Sequence, residues 1–257
     1  MSEETQKPPP QTLWHVPRQY SDPKFWVRGD KAKDGAQSEK LIYLGVGHAL
    51  SNWEHVESSI AMLFSTFIES RTIAGSRAYG TINGSRAREA ALRQAADTFF
   101  SLRKSACRKD QTAYGEVNKF GKATNSLIHN YGLASARRND IAHGVAQKIV
   151  TKNGDEGSWF LVVPNYQSAK TTNWINDDIK LAENKGIRLA DRETYFDYNK
   201  IYYKNSQYVY GVNELKVFSG KFIYLYADIL CLLHMFDQNK FKFTPKQLYS
   251  VAKRMSE

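Results

Sequence analysis

The segment Arg137-Arg138-Asn139-Asp140-Ile141-Ala142-His143-Gly144 holds the residues of this chain best suited to chemistry. On a helix, Asn139 and His143 are four apart and share a face, with Arg138 beside it. An arginine holds a phosphate through two parallel hydrogen bonds and stabilises added negative charge. An imidazole is the side chain whose class titrates nearest neutral pH, so it can move the proton of a ribose 2′-hydroxyl or of a leaving group. A cation, an amide and an imidazole on one short segment therefore suit a phosphodiester, and none of them requires a metal. A second reading stands beside this one. Asn139 or Asp140 caps a helix, and His143-Gly144 stops it.

Other chemistries lack their motifs. No Walker-type phosphate loop, His-Glu-x-x-His pair or Gly-x-Ser-x-Gly elbow occurs. The six histidines are scattered, and two cysteines cannot build a cysteine-rich zinc site. No cofactor is expected. Cys107 and Cys231 read as reduced packing residues. The formal net charge of +10 favours polyanionic partners, because a basic surface releases counterions from phosphates.

The elements around the segment follow from periodicity. Residues 1–38 carry Pro8, Pro9, Pro10, Pro17 and Pro23 and read as an arm, with Trp14, Phe25 and Trp26 docking part of it onto the body. From Ser38, a plausible N-cap, the apolar stripe Leu50, Trp53, Val56, Ile60, Leu63 and Phe67 predicts a long helix to about Ser70. Gly75, Gly80 and Gly84 predict a loop. A second helix opens at Ser85, with Ala91, Leu92, Ala95, Phe99 and Leu102 facing inward. A third runs from about Thr112 to Tyr131, and 134–145 either continues it after a break or forms a new helix. Residues 148–163 read as two strands around a glycine-containing turn, and 194–210 as strand-like. Residues 213–238 form a strongly apolar helix, and Pro245 starts a short last one. The fold expected is mainly α: one antiparallel helical bundle over 39–257, with a small β insertion at about 147–211.

Arg138-Asn139-Asp140-Ile141-Ala142-His143 resembles the signature of the HEPN superfamily, in which an arginine and a polar residue precede a histidine. Trp53-Glu54-His55-Val56-Glu57 is similar to a first-helix element of bacterial HEPN-like proteins. The resemblance covers residues 39–145 and, less fully, 213–238. It implies a HEPN-like helical bundle and a metal-independent endoribonuclease of a bacterial defence or toxin system. Arg138 and His143 become the catalytic pair, and Asn139 the supporting polar residue. It also implies a homodimer with two motifs facing each other, and an antitoxin or other defence-system partner. The alternative is a non-catalytic HEPN-like module that binds nucleic acid, a nucleotide or a protein.

Three further expectations concern support and binding. Glu57 borders the buried stripe, where a carboxylate needs a cation or donors. It either holds Arg138 or is solvated. Asp140 is placed with Asn139 among the supporting residues. Arg137, Arg86, Arg88 and Arg93 are candidates for contact with RNA, and Arg103, Lys104, Arg108 and Lys109 continue the basic run. The aromatics Tyr195, Phe196, Tyr198, Tyr202, Tyr203, Tyr208 and Tyr210 stack bases or pack the sheet. The polar start of the chain lacks the pattern of a signal peptide, and no run of about 18 apolar residues is present. A cytoplasmic location without membrane contact is expected.

Overall fold

The computed structural model describes residues 23–27, 32–70, 72–149, 157–163 and 208–236. These form five α-helices and one three-stranded antiparallel sheet. The helices are α1 (Glu39–Phe67), α2 (Ala74–Gly80), α3 (Ser85–Ala106), α4 (Gln111–His143) and α5 (Val212–Phe236). The strands are β1 (Val145–Ile149), β2 (Ser158–Val163) and β3 (Tyr208–Tyr210), with β2 in the middle. Pro23–Trp26 is a single 3-10 turn. The fold is thus mainly helical with a small sheet, as its periodicity predicts.

In the main core cluster Trp53, Val56, Ile60 and Leu63 of α1 meet Leu215, Phe222 and Ile229 of α5, and a smaller cluster of Ala32, Phe160, Val162 and Val209 lies at the sheet. The α1 residues recur at spacings of three and four, so one side of the helix is apolar and must be covered. Asn52 Nδ2 donates to Ser219 Oγ at 2.7 Å within the same seam. By length and composition α5 could cross a membrane, but 61% of its most apolar window is buried inside the fold. Its apolar residues are used in the core.

Chain direction departs from the antiparallel bundle expected. Gly45 approaches Leu215, Trp53 meets Phe222 and Phe67 meets Phe236, so α1 and α5 run in the same direction. Glu57 pairs with Arg88 and Glu69 with Arg103, so α3 also runs with α1. Among the long helices α4 opposes them, its Gly132 lying against Glu89 and its Gly121 against Phe100, and the short α2 also runs against α1, with Gly75 beside Ser65 and Ser76 bonded to Ala61. The connections explain this. The segment 68–84 folds back along α1, with Ser76 Oγ donating to the Ala61 carbonyl at 3.2 Å, and returns the chain to the level where α3 begins. The sheet then forms where α4 ends and α1 begins, so α5 starts there and must run with α1.

Other boundaries differ in informative ways. The glycine-punctuated segment contains the short helix α2, anchored by the buried Tyr79. The break expected near residue 132 is absent, because α4 is one helix of 33 residues. Its N-cap is Asp110, which accepts from the backbone N–H groups of Thr112 and Ala113 at 3.0 Å. Ser38 makes no such bond at the start of α1. Leu102, expected inward, is 66% exposed, while Ala96 and Phe100 take the inner positions. Trp26 is buried and stacks on Phe222, and Ala36 pairs with Trp159 of β2, so residues that read as arm complete the core and the sheet. Lys221 Nζ clasps the turn by donating to the Phe25 carbonyl at 2.6 Å. Residues 194–207, Trp14 and the final helix at Pro245 lie outside the described residues.

One glycine couples the helical segment to the sheet. Gly144 follows α4 directly, and a Cβ there would lie 2.5 Å from Cγ of the fully buried Leu161. Its φ is −70°, so only space, not conformation, demands glycine. Gly144→Ala is expected to destabilise the protein by about 1–3 kcal/mol through overpacking. Thermal denaturation checks this, and an unchanged melting temperature would contradict the tight contact.

Candidate functional site

The segment 137–143 forms the last turns of α4, and Gly144 leaves the helix in extended conformation. Helical geometry separates its residues. Ile141 is buried in the core, and Asp140 is buried too. Asn139 and Ala142 are half-buried, and His143 is exposed. The imidazole is therefore available to a ligand and is not a packing element of the core.

The two arginines have different surroundings. Arg137 Nη1 lies 3.3 Å from Asp140 Oδ2, and both side chains are only about one-tenth exposed. Their charges neutralise each other one turn apart on the helix, so Asp140 holds Arg137. Arg138 donates from Nη1 to Asn139 Oδ1 at 3.2 Å, and its Nε is buried without a partner. It meets no carboxylate among the described residues. Arg138 is thus a cation whose partner among the described residues is a neutral amide, and Asn139 orients it.

Arg138 and His143 are not directly opposite one another in one helix. Five residues rotate a helix by about 140° and advance it by about 7.5 Å. The arginine side chain is long enough to narrow that gap. A single motif nevertheless offers one cation and one imidazole at a distance, and not a closed clamp. Among the described residues no group of three His, Cys, Asp or Glu side chains is placed to hold a metal ion.

The expected contact between Glu57 and Arg138 is not made. Glu57 Oε2 accepts from Arg88 Nη1 at 2.9 Å, and Oε1 accepts from the Tyr131 hydroxyl at 3.0 Å. Tyr131 and Tyr79 hydroxyls lie 3.2 Å apart, and Trp53 stacks on Tyr131 with centroids separated by 5.6 Å. Arg88 also donates from Nε to the Ile82 carbonyl at 2.9 Å. Chain direction keeps the two groups apart. The start of α3 lies level with the middle of α1, whereas Arg138 lies two turns beyond Tyr131, towards the sheet. The reading of Glu57 as a carboxylate in need of a cation holds, with Arg88 as that cation. Tyr79 and Tyr131 were not identified from the sequence. A tyrosine at the buried edge of a helix carries no signal that distinguishes a hydrogen-bonded phenol from packing.

The basic candidates divide in the same way. Arg88 is held by Glu57, Arg93 pairs with Glu89 at 2.9 Å, and Arg137 with Asp140. Arg86 is exposed and unpaired among the described residues. Burial, assisted by the neighbouring Glu57 carboxylate, holds the Tyr131 phenol above the usual tyrosine range. Burial raises Tyr79 as well, partly offset by its bond with Tyr131.

Comparison with protein-family models, with curated proteins and with solved structures finds no match to this chain.

Two outcomes follow from the Glu57 network. Arg88→Met is expected to lower stability by about 1–3 kcal/mol, because it leaves a half-buried carboxylate without its cation. Arg138→Met is expected to be nearly neutral. Denaturant unfolding of both variants checks the contrast, and equal effects would contradict it. The second outcome concerns pH. Unfolding returns both phenols to an ordinary tyrosine value near 10. Above that pH the unfolded chain releases protons that the fold retains, so stability that is complete below about pH 10 is lost as pH rises past it. Tyrosinate absorbance should show two phenols that stay neutral beyond pH 10 until the protein unfolds.

Proposed function

We propose that this protein is a HEPN-like endoribonuclease that cleaves RNA with Arg138 and His143, without a metal, as part of a bacterial defence or toxin system in the cytoplasm. The observation that carries the reading is the end of α4. Arg138 has no carboxylate partner among the described residues, and His143, five residues later, is exposed. The resemblance of Arg138–His143 to the HEPN signature and the net charge of +10 support it.

The chemistry follows from the residue types. Arg138 holds the non-bridging oxygens of a phosphodiester and stabilises the charge that builds on them. His143 takes the proton of the ribose 2′-hydroxyl as that oxygen attacks phosphorus, or gives a proton to the departing 5′-oxygen. The P–O5′ bond breaks, leaving a 2′,3′-cyclic phosphate and a 5′-hydroxyl. One imidazole cannot perform both transfers at once. A second copy of the chain across a two-fold axis supplies the other one. The active form is therefore a homodimer with the ends of two α4 helices apposed.

A second reading has its own observation. Asn139 already occupies Arg138, and the helix separates Arg138 from His143 by more than a third of a turn. That arrangement also fits a module that binds a phosphate group without cleaving it.

Single-stranded RNA should be cut in the presence of EDTA, and DNA should survive because it lacks the 2′-hydroxyl. His143→Ala should slow cleavage by about 10²–10⁴-fold. Arg138→Ala should also slow it while leaving the melting temperature unchanged. Activity with magnesium but none with EDTA would refute the mechanism. If wild type leaves RNA intact but binds it, the binding-module reading replaces it. A monomer by light scattering at micromolar concentration with RNA present would refute the dimer.

A further inference from the structure

The end of the molecule opposite the candidate site carries an electropositive surface that the proposed chemistry does not use. It lies where α3 turns into α4. Glu69, Glu116 and Asp110, near it in sequence or by contact, are each engaged, while Asp97, seven residues before Lys104 on α3, is exposed. Glu69 binds Arg103 at 3.0 Å, Glu116 binds Lys119 at 3.0 Å, and Asp110 caps α4. Lys104, Arg108, Lys109 and Lys122 have no partner among the described residues, and all but the half-buried Lys104 are exposed. Lys104 suits the C-terminal dipole of α3. Arg108 and Lys109 lie beyond that helix and have no such role, and Lys122 is well inside α4.

Apolar surface accompanies the charge. Tyr114, in the first turn of α4, is 40% exposed, and Leu102 is 66% exposed. Lys122 is eight residues from Tyr114, about two turns along the same side of α4. An exposed ring set among unpaired cations suits bases that stack and phosphates that follow the backbone. A purely electrostatic anion site would need no ring. Beneath this surface Arg103 lies over the Phe99 ring at 3.5 Å, and Phe67, Phe99, Phe100 and Phe236 pack together, so its base is rigid.

We infer that Lys104, Arg108, Lys109, Lys122 and Tyr114 form a second RNA-binding surface that grips single-stranded RNA at a distance from the α4 terminus. The inference rests on the reading of RNA as the ligand. Tyr114 and His143 are separated by 29 residues of one helix, which is about 45 Å. A stacked strand carries a phosphate about every 3.4 Å, so about 13 nucleotides bridge the two ends. The substrate class is accordingly a long single strand or a loop within a larger RNA, and not a short oligonucleotide.

The test measures binding in the His143→Ala background, where cleavage does not intervene, using a 24-nucleotide and a 6-nucleotide unstructured RNA over a range of salt. The 24-mer should bind more tightly. The combined variant Lys104→Gln, Arg108→Gln, Lys109→Gln should lower the dependence of log affinity on log salt by about 2 for the 24-mer and abolish its advantage over the 6-mer. Tyr114→Leu should weaken the 24-mer with no change in that salt slope. Arg108→Gln alone, with about a third of the effect, guards against a folding defect in the combined variant. Unchanged affinity and slope in the variants, or equal binding of both lengths by the parent, would overturn the inference. Binding to phosphatidylserine vesicles with none to RNA would overturn it too, in favour of a membrane surface. RNA binding that depends on these residues in a wild-type protein without cleavage would uphold the inference and sink the ribonuclease reading.

Discussion

A carboxylate on the inner edge of the first helix must be neutralised, and the helical layers meet where this happens. Glu57 is 16% exposed as a side chain, too buried for water alone to satisfy it. Its two oxygens are shared between Arg88 of α3 and Tyr131 of α4, and Tyr131 in turn meets Tyr79 of α2. Four helices are thus tied to one group. The arrangement also sets direction and register. Arg88 reaches Glu57 only if α3 begins level with the middle of α1. Tyr131 reaches it only if α4 runs the other way past the same point. A group of this kind stabilises little by its charge, since burial of the ions offsets their attraction. Its larger effect is on uniqueness: a slipped register would leave the carboxylate unpaired.

The end of α4 inherits its position from that node. Arg138 lies two turns beyond Tyr131, and Ala134 and Ile141 stay in the core along this stretch of the helix. Asp140 fixes Arg137, and Gly144 admits the close approach of Leu161. The backbone is therefore held on both sides of Arg138 and His143, while their side chains are left to act. This is the division expected where a rigid scaffold presents polar groups to a ligand. The opposite end of the same helix carries cations without partners among the described residues, near a packed aromatic cluster. On the proposed reading, a single long helix relates a cleaving end to an RNA-binding end.

Much of this was legible from residue order. The stripe Trp53, Val56, Ile60, Leu63 and Phe67 is buried as its spacing requires, strands 145–149 and 158–163 pair antiparallel, and Gly157 just before the second has a positive φ of 68°. The Arg138–His143 segment is helical, with Ile141 inward and His143 outward. What eluded sequence reasoning was tertiary choice. Which arginine pairs with Glu57 depends on helix direction, and helix direction depends on connections whose path no local pattern fixes. The continuous α4 was obscured because Gly132 resembles a break. The helix continues through it, with the Glu89 carboxylate of α3 lying alongside. The same limit applied to Arg93 and Arg137, which read as free cations until their carboxylates were located.

The central claim is that Arg138 and His143 act as one unit on a single phosphodiester. A double-mutant cycle tests it most directly. Single-turnover cleavage of a labelled RNA is measured for wild type, Arg138→Ala, His143→Ala and the double variant, all shown to be folded. Groups that act together on one transition state are strongly non-additive, so the double variant should be scarcely slower than the worse single one. If the two losses simply add, or if either single variant cleaves like wild type, the pair does not share a reaction and the proposed site is wrong.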